Sequence, residues 1–377
     1  MPGLPVKRFF GLVGAVLGAM ATLAALATAA HASPAAVSRA VPQSPSEVRA
    51  YWTPERMRAA QPADLAVAPA SPAPAAVPSG DATVIPPSSP ARRRALQREA
   101  GSETTFPQSV HGRIFFNIPA SGSHPEELAS CSGTVVSSLP QNVVFTAGHC
   151  AQYPGEAPST NMVFVPGYRD GSEPFGEFPV SALLTPPEWA DAAPSYDFAI
   201  AELATPIERQ LGARGIAFNK APKTDYTIFG YPAEPAPTYD GERLIACDSS
   251  FLQLEYTGSH PFSTVAYPCD MGPGSSGGGW VNPAGDVMSV TSHGYEDPQL
   301  ANQIVGPYFG DAAKRLYNAA GGSAQCPPAK KALKKAKHRL RKARRAAKRS
   351  SSRRSSRKLH RASKRVGKAR DKRDTYC

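Results

Sequence analysis

The chain has 377 residues, with 42 lysines and arginines, 30 aspartates and glutamates, and 39 prolines. Its formal net charge of +12 is divided unevenly: residues 1–104 carry +4, residues 105–326 carry −13, and residues 327–377 carry +21. Because a single globular domain does not separate charge in this way, the composition indicates a modular chain and excludes uniform globular, collagen-like and fully disordered ones. About 200 residues remain for a folded core, enough for one sizeable domain.

The first 32 residues have the pattern of a secretory signal peptide. Lys7 and Arg8 precede a long uncharged run, and Ala30-His31-Ala32 supplies a small-x-small cleavage site. An uncleaved membrane anchor is the alternative, because the run reaches the roughly 20 residues that span a bilayer. Its alanines and glycines partition weakly into hydrocarbon, which favours cleavage and predicts a secreted, extracellular protein.

Export makes the cysteines candidates for disulfide bonds, and their even number fits that interpretation. The six are Cys131, Cys150, Cys247, Cys269, Cys326 and Cys377. None has the CxxC spacing of a structural metal site, so we expect no bound metal there. Six cysteines allow 15 connectivities. Proximity in sequence suggests the pairs 131–150, 247–269 and 326–377.

Residues 33–104 lack cysteine and phenylalanine and are rich in proline, alanine and serine. Such a segment buries too little apolar surface to offset its ordering entropy, so we expect most of it to be disordered. Thr53–Ala60 is the exception, because Thr53 is a good N-cap and Pro54 a good first helical residue. Arg92-Arg93-Arg94 and Arg98 form a basic stretch suited to proteolysis. We interpret the segment as a propeptide; a passive spacer is the alternative.

From about Thr105 the sequence changes to short β-type runs separated by turns, and helical periodicity returns only around Gly310–Asn318. Many short strands at this spacing predict an all-β sandwich or pair of barrels. The predicted strands are Arg113–Ile118, Gly133–Ser137, Asn142–Thr146, Met162–Val165, Asp197–Leu203, Tyr226–Phe229, Leu244–Ala246, Phe251–Tyr256 and Val287–Thr291.

Three segments of this region carry residues suited to nucleophilic catalysis: Thr146–Cys150, Tyr196–Ala201 and Gly272–Trp280. A serine hydroxyl is a poor nucleophile at neutral pH and needs an imidazole to take its proton. The imidazole in turn needs a buried carboxylate that fixes its tautomer. Glycines around the serine let backbone N–H groups approach an oxyanion. Each signal alone is weak, but the order His, Asp, Ser within one cysteine-bearing β domain is not expected by accident.

In these motifs the chain resembles the trypsin/chymotrypsin family of serine endopeptidases over about residues 105–322. Cys131–Thr134 and Thr146–Cys150 are similar to the family's histidine region, and Gly274–Gly279 is similar to its Gly-Asp-Ser-Gly-Gly-Pro motif. The short loops and composition are most similar to the bacterial glutamyl-endopeptidase-like branch. The resemblance implies two packed six-stranded antiparallel β-barrels with a C-terminal helix, a protease domain over residues 105–325, and a Cys131–Cys150 disulfide.

The resemblance also implies roles for individual residues. Ser276 would attack the scissile carbonyl of a protein or peptide substrate, His149 would act as base and then acid, and Asp197 would orient His149. The N–H groups of Gly274 and Ser276 would hold the oxyanion. This mechanism needs no metal or organic cofactor. Ser275 is the rival nucleophile. Asp191 is the rival acid, although it lies in an Ala/Pro-rich loop instead of opening a strand.

Ser275 replaces the acidic residue that precedes the family's nucleophile, so the ion pair that activates trypsin-like zymogens has no acid here. We therefore predict that removal of the propeptide controls activity.

The preferred substrate residue stays open between a basic and an acidic one. Asp270 lies six residues before Ser276, at the offset of the acid with which trypsin binds basic side chains, but an ordinary loop acid is the alternative. Glutamyl endopeptidases instead use a pocket histidine and hydroxyls. His293 lies one position from that histidine, which would fall at Ser292. The other candidate pocket residues are Gly294 and Gly306.

Residues 326–377 carry 23 basic side chains. A disordered polycation is the simple interpretation, but alanines and leucines at three- and four-residue spacing predict two helices broken near Ser350–Ser352. A Cys326–Cys377 bond would close them into a basic hairpin. Its expected partners are anionic cell-wall polymers, anionic lipid head groups or nucleic acid, with the acidic domain as a competitor. A catalytically silent, protease-like scaffold that binds through this tail is the alternative function.

Overall fold

The computed structural model describes residues 35–65, 67–72, 80–89, 105–122, 124–256, 262–322, 326–349 and 358–366. The predicted signal peptide, the arginines at 92–98, the predicted helix break at 350–352 and Cys377 lie outside these ranges. The strands are β1 (Val37–Ala40), β2 (Gln61–Pro62), β3 (Ser71–Pro72), β4 (Thr83–Ile85), β5 (His111–Ile118), β6 (Glu127–Val135), β7 (Val143–Thr146), β8 (Thr160–Pro166), β9 (Phe178–Thr185), β10 (Ala199–Leu203), β11 (Gly215–Phe218), β12 (Asp225–Gly230), β13 (Ile245–Tyr256), β14 (Ser263–Tyr267), β15 (Gly279–Val281), β16 (Asp286–Val290), β17 (His293–Gly294) and β18 (Ile304–Pro307). The α-helices are α1 (Pro45–Tyr51), α2 (Pro54–Ala59), α3 (Gly148–Ala151), α4 (Glu208–Leu211), α5 (Asp311–Ala319), α6 (Cys326–Arg349) and a helix over residues 358–366, here α7.

Six of these strands close into an antiparallel barrel. The pairings run β5–β6–β7–β10–β9–β8, and β8 pairs again with β5. Alternate side chains of β5 point to opposite faces, as the pleat of a strand requires. Ile114 and Phe116 enter the barrel core. Phe115 points outward, where Trp52 and Tyr168 cover it. Because both faces of β5 are covered, seven of its eight residues are buried, including the polar His111, Arg113 and Asn117.

The second sheet differs from the expected six-stranded barrel. It has ten strands in the order β17–β18–β14–β13–β12–β15–β16–β11–β4, with β3 added to β13. The predicted strands Leu244–Ala246 and Phe251–Tyr256 are parts of the single long strand β13. Two further strands, β3 and β4, come from the segment that precedes residue 90. Of the two expected six-stranded barrels, one is therefore confirmed. The second sheet has eight strands from the region after residue 105, β11 to β18, and the N-terminal segment extends it to ten.

The prediction that most of residues 33–104 are disordered is wrong for the described part of that segment. Residues 35–89 contribute β1, β2, β3 and β4 to the two sheets and form α1 and α2. The few apolar side chains of the segment pack against apolar surface of the folded domain. The segment therefore becomes ordered although its own average hydrophobicity is low. The short helix expected at Thr53–Ala60 is confirmed as α2, with the Thr53 side chain accepting from the Arg56 N–H.

The packing of the two sheets buries an aromatic cluster between them. Phe145 and Phe198 from the barrel meet Phe218 and Phe309 from the second sheet, and Leu316 of α5 closes the cluster. Helix α5 confirms the helical periodicity read around Gly310–Asn318.

Two disulfide bonds join Cys131 to Cys150 and Cys247 to Cys269, as sequence proximity suggests. The third expected pair, Cys326–Cys377, lies outside the described side chains. Helices α6 and α7 form the C-terminal part of the chain. Within the described residues, no helix combines the length and apolar character needed to cross a bilayer.

A partly buried ion pair joins the barrel to the loop before β13. Arg113 on β5 contacts Glu242 at 2.8 Å and is only 4% exposed. Its guanidinium also donates to Ser130 and lies over the rings of Phe115 and Tyr168.

We predict that Glu242→Ala lowers the free energy of unfolding by about 3 kcal/mol, because it leaves a buried guanidinium without its carboxylate. Replacing both partners, as Arg113→Met with Glu242→Leu, should cost clearly less because no charge is stranded. Denaturant titration measures both values, with the exposed Glu234→Ala as control. Equal losses in the single and double variants would contradict this account.

Candidate active site

His149 and Asp197 are brought together by the pairing of two barrel strands. His149 lies in α3, directly after β7, and Asp197 lies two residues before β10. Because β7 and β10 pair with Thr146 opposite Ala199, the chain leaving one strand meets the chain entering the other. The rival acid Asp191 is exposed in a 3₁₀ helix at Pro187–Asp191.

The two side chains form a close, fully buried pair. His149 Nδ1 lies 2.9 Å from Asp197 Oδ2, and the His149 backbone N–H donates to Asp197 Oδ1 at 2.8 Å. Ser292 Oγ donates to the same carboxylate at 2.6 Å. Burial alone would raise the pKa of Asp197, but the neighbouring His149 and these hydrogen bonds outweigh it and leave the pKa below its ordinary value. Asp197 is therefore ionised at neutral pH.

Ser276 lies in the glycine-rich loop that precedes β15. Gly277 has a φ of +83°, a conformation that side-chain-bearing residues rarely adopt. A Cβ on Gly278 would lie 1.8 Å from the Phe229 carbonyl oxygen, so no larger residue fits there. The barrel holds the loop through Ser132, whose N–H donates to the Ser276 carbonyl and whose hydroxyl donates to the Gly274 carbonyl, both at 2.8 Å.

The hydroxyl of Ser276 makes no hydrogen bond to the imidazole of His149 in this structure. Its Oγ lies 3.5 Å from the carbonyl oxygens of Ala63 and Ser292. His149 Nε2 is buried and has no hydrogen-bond partner among the described residues. The rival nucleophile Ser275 donates its hydroxyl to the Gly272 carbonyl at 2.7 Å, within its own loop. Ser276 is thus the serine whose hydroxyl makes no short hydrogen bond.

A buried hydrogen-bond chain continues from Asp197 to His293. Ser292 Oγ lies 2.9 Å from His293 Nδ1. A hydroxyl has one proton, and Ser292 gives it to the ionised Asp197, which can only accept. The proton on this bond therefore belongs to His293 Nδ1, and His293 Nε2, which is buried without a partner among the described residues, is an acceptor. Burial lowers the pKa of His293 to about 4, Asp197 opposes the shift, and His149 adds to it.

The remaining pocket candidates lie in different surroundings. Asp270 is exposed and accepts a hydrogen bond from Tyr239 at 2.7 Å. Gly294 pairs with Ile304 on β18. A Cβ on Gly306 would lie 2.4 Å from Ser289 Oγ, so that position requires glycine for packing.

No sequence motif pointed to Ala63, although its carbonyl oxygen lies beside Ser276 Oγ. The available signal was Trp52, a large apolar residue in an otherwise weakly hydrophobic segment. A residue of this size indicates that part of the segment is buried against something.

One group of possible metal ligands is present in the described residues. The ligand atoms of Cys131, His149 and Cys150 lie within 4.8 Å of one another. The two sulfurs are bonded to each other, so they offer no thiolates to a metal ion.

Part of the chain is similar to proteins of known family. Residues 131–290 match the family model of the trypsin-like peptidase domain. The crystal structure of protease Anisep from Arthrobacter nicotinovorans is 33% identical, with the match covering 57% of this chain and 96% of that one at a TM-score of 0.49. The thermostable serine protease AL20 from an extremophilic microorganism is 33% identical over 56% of this chain and 97% of its own, also at 0.49.

A curated relative points to the same class. The glutamyl endopeptidase of Bacillus licheniformis is 29% identical over 110 residues, and the match spans 28% of this chain and only 34% of the relative. A closed six-stranded barrel packed on a second sheet is the fold of chymotrypsin-like hydrolases. The chain belongs to the trypsin-like serine peptidases.

The buried His293 predicts a dependence of stability on pH. Because its pKa is lowered in the folded state, the unfolded chain binds more protons between the ordinary value of 6.5 and about 4, and stability falls as pH falls through that window. The loss is up to about 3 kcal/mol. In His293→Gln, the free energy of unfolding from denaturant titration should fall less steeply between pH 7 and 4. Parallel curves for the two proteins would contradict the assignment.

Proposed function

We propose that the chain is a secreted serine endopeptidase that hydrolyses peptide bonds through Ser276, His149 and Asp197. The observation that carries the proposal is the buried pair of His149 and Asp197, which Ser292 links to Ser276: the Ser292 hydroxyl donates to Asp197, and the Ser292 carbonyl oxygen lies 3.5 Å from Ser276 Oγ. Asp197 fixes the proton of His149 on Nδ1, so Nε2 has the free lone pair that a general base needs.

The reaction follows from these positions. Rotation of Ser276 toward His149 lets Nε2 take the hydroxyl proton as Oγ attacks the scissile carbonyl carbon. His149 then gives that proton to the leaving amine, and an acyl-enzyme forms on Ser276. Water enters, His149 deprotonates it, and the acyl group leaves as a carboxylic acid.

The loop geometry supports Gly274 and Ser276 as oxyanion donors. The N–H groups of Ser275, Gly277 and Gly278 donate to carbonyls of Gly272, Thr291 and Ser275. Among the described residues, the N–H groups of Gly274 and Ser276 have no such carbonyl partner, which leaves them for a substrate. Placed beside the nucleophile, they would stabilise the negative charge of the tetrahedral intermediate.

We do not extend to this chain the preference for glutamate that the name of the curated relative indicates. A substrate carboxylate needs hydrogen-bond donors or positive charge. His293 is neutral and its free nitrogen is an acceptor, so it supplies neither in this structure. Asp270 is exposed and already bonded to Tyr239, which argues against a pocket for basic side chains. We therefore propose peptide-bond hydrolysis for this chain, and we propose neither an acidic nor a basic substrate preference.

The C-terminal helices support a role at anionic surfaces. Residues of α6 and α7 line a shared groove that contains Lys335, Arg339, Lys358, Arg361 and Arg365. We propose that this tail holds the secreted enzyme on anionic cell-wall polymers, with lipid head groups and nucleic acid as further polyanions of the same chemistry.

The triad proposal predicts a sharp contrast between two aspartates. Asp197→Asn should lower kcat on the order of 10⁴-fold, because an amide no longer fixes the active tautomer of His149. The exposed Asp191→Asn should leave kcat unchanged. Peptide hydrolysis by the enzyme from which the predicted propeptide has been removed measures both. Equal effects, or a dominant loss in Asp191→Asn, would reject Asp197.

The nucleophile can be tested with a fluorophosphonate probe on the enzyme from which the predicted propeptide has been removed. We expect labelling to be lost in Ser276→Ala and in His149→Ala, and retained in Ser275→Ala, because Ser275 is bonded within its loop. A wild-type protein freed of the predicted propeptide that folds and does not label would instead support the silent scaffold. Loss of labelling in a folded Ser275→Ala variant would overturn the view that activation needs no acid at this position.

Tail binding through charge alone predicts that charge number decides affinity. Changing the five groove cations to Gln should lower the salt concentration that elutes the protein from heparin, because fewer counterions are released on binding. A matched variant of Lys334, Lys337, Arg341, Lys342 and Arg344 should show an equal decrease. Retention that persists in high salt would contradict an electrostatic role.

A further inference from the structure

Residues 35–89, here called the N-terminal segment, attach to both sheets of the peptidase. Strand β1 pairs with β9, which places Val37 opposite Thr185. Strand β4 pairs with β11, which places Thr83 opposite Phe218. The segment thus starts on the barrel and ends on the second sheet, so its middle part must cross from one to the other.

An aromatic anchor fixes the segment to the outside of the barrel. Trp52 is 4% exposed, and its ring N–H donates to the Asn161 carbonyl at 2.6 Å. Its ring lies 5.5 Å from that of Phe115 on β5. Val48 and Met57 of α1 and α2 complete the apolar contact. Tryptophans buried in closely packed sites are typical of the residues that dominate the affinity of an interface.

From this anchor the segment enters the catalytic cleft. Strand β2 pairs with β6, and the Ala63 N–H donates to the Ser130 carbonyl at 2.9 Å. The next carbonyl, of Asp64, accepts from the Tyr153 hydroxyl at 2.8 Å. The Tyr153 ring lies 5.8 Å from the His149 ring. Ala63 is therefore held from both sides directly over the site.

The same stretch continues along the far side of the cleft. The Ala70 N–H donates to Glu255 Oε1 at 2.5 Å, and Tyr295 donates to that same oxygen at 3.0 Å. Strand β3 then pairs with β13 beside Glu255. With the segment in place, His149 is fully buried and Ser276 is 2% exposed, so a substrate has no access to either.

The segment occupies the site in a geometry that cannot react. In an attack, the carbonyl carbon faces the serine oxygen and the carbonyl oxygen faces the oxyanion donors. Here the carbonyl oxygen of Ala63, and not its carbonyl carbon, meets Ser276 Oγ, at 3.5 Å. A carbonyl presented in this way is not placed for attack, so the segment can occupy the site without being cut at this bond.

We propose that residues 35–89 are a protease inhibitor carried within the same chain, which holds Ser276 through Ala63 and the barrel through Trp52. The inference rests on the proposed function, because an inhibitor requires an enzyme. Since the contacts are non-covalent and spread over both sheets, a cut between residues 89 and 105 leaves the inhibitor bound. Activation then requires its release or destruction, in addition to cleavage of the chain.

The first test uses the wild-type sequence and the rate of fluorophosphonate labelling. Limited trypsin treatment supplies a cut at the arginines of residues 92–98, and mass spectrometry identifies the product. We expect the intact and the cut chain to label at least about 100-fold more slowly than the cut chain from which the N-terminal fragment has been removed in mild denaturant. The cut chain should also elute with its fragment on size exclusion. Equal labelling before and after removal would overturn the proposal.

The second test weakens the inhibitor without touching the catalytic residues. In the intact chain, Trp52→Ala removes the anchor and Ala63→Glu places a charge in a site that is 4% exposed. Each should raise the labelling rate at least about tenfold. Arg39→Ala, on the exposed side of β1, is the matched control and should not change it. Variants that melt cooperatively and label at the wild-type rate would reject the contact.

The two proposals fail in different ways. If no form labels, including the form freed of the fragment and still folded, the peptidase proposal is wrong. If the freed form labels and the intact chain labels equally fast, only the inhibitor proposal is wrong.

Discussion

The carboxylate of Asp197 is fully buried, and the rest of the site is arranged around that constraint. A buried charge costs several kcal/mol unless hydrogen bonds and opposite charge compensate it. The donors come from His149, which follows a barrel strand, and from Ser292, which precedes a strand of the second sheet. A single charge thus joins the two sheets at the cleft. The imidazole gains its fixed tautomer as a consequence of satisfying that charge.

The N-terminal segment buries the outer face of the barrel at β5. A barrel strand with one face in water alternates apolar and polar residues, yet β5 is buried along nearly its whole length. The outward-facing Phe115 packs against Trp52, which belongs to a segment of low average hydrophobicity. A few large side chains placed at the right spacing are enough to order such a segment when another surface supplies the rest of the core. Composition averaged over the segment hides this.

The nucleophile loop shows how backbone geometry limits the sequence. Gly277 needs a positive φ, Gly278 lies against the Phe229 carbonyl, and Ser132 holds two of the loop carbonyls. These contacts fix where the N–H groups point, and only glycine permits them. Ser275 and Ser276 are chemically identical and adjacent, but the loop turns one hydroxyl inward onto the Gly272 carbonyl and leaves the other at the cleft.

The sequence by itself determined the chemistry that is available: a histidine after an apolar strand, an aspartate opening another, a serine among glycines, and short strands that require a β fold. The sequence also predicted local structure correctly where the signal lies within a few neighbouring residues, as in the Thr53 cap of α2 and the periodicity of α5. The structure shows that Asp197, which the sequence favoured over Asp191, meets His149. Only the tertiary structure decided that Ala63 lies over Ser276. These contacts join residues 48 and 213 positions apart. A strand's alternation specifies which face is buried but not which strand or segment covers it, so such pairings exist only once the sheets have closed.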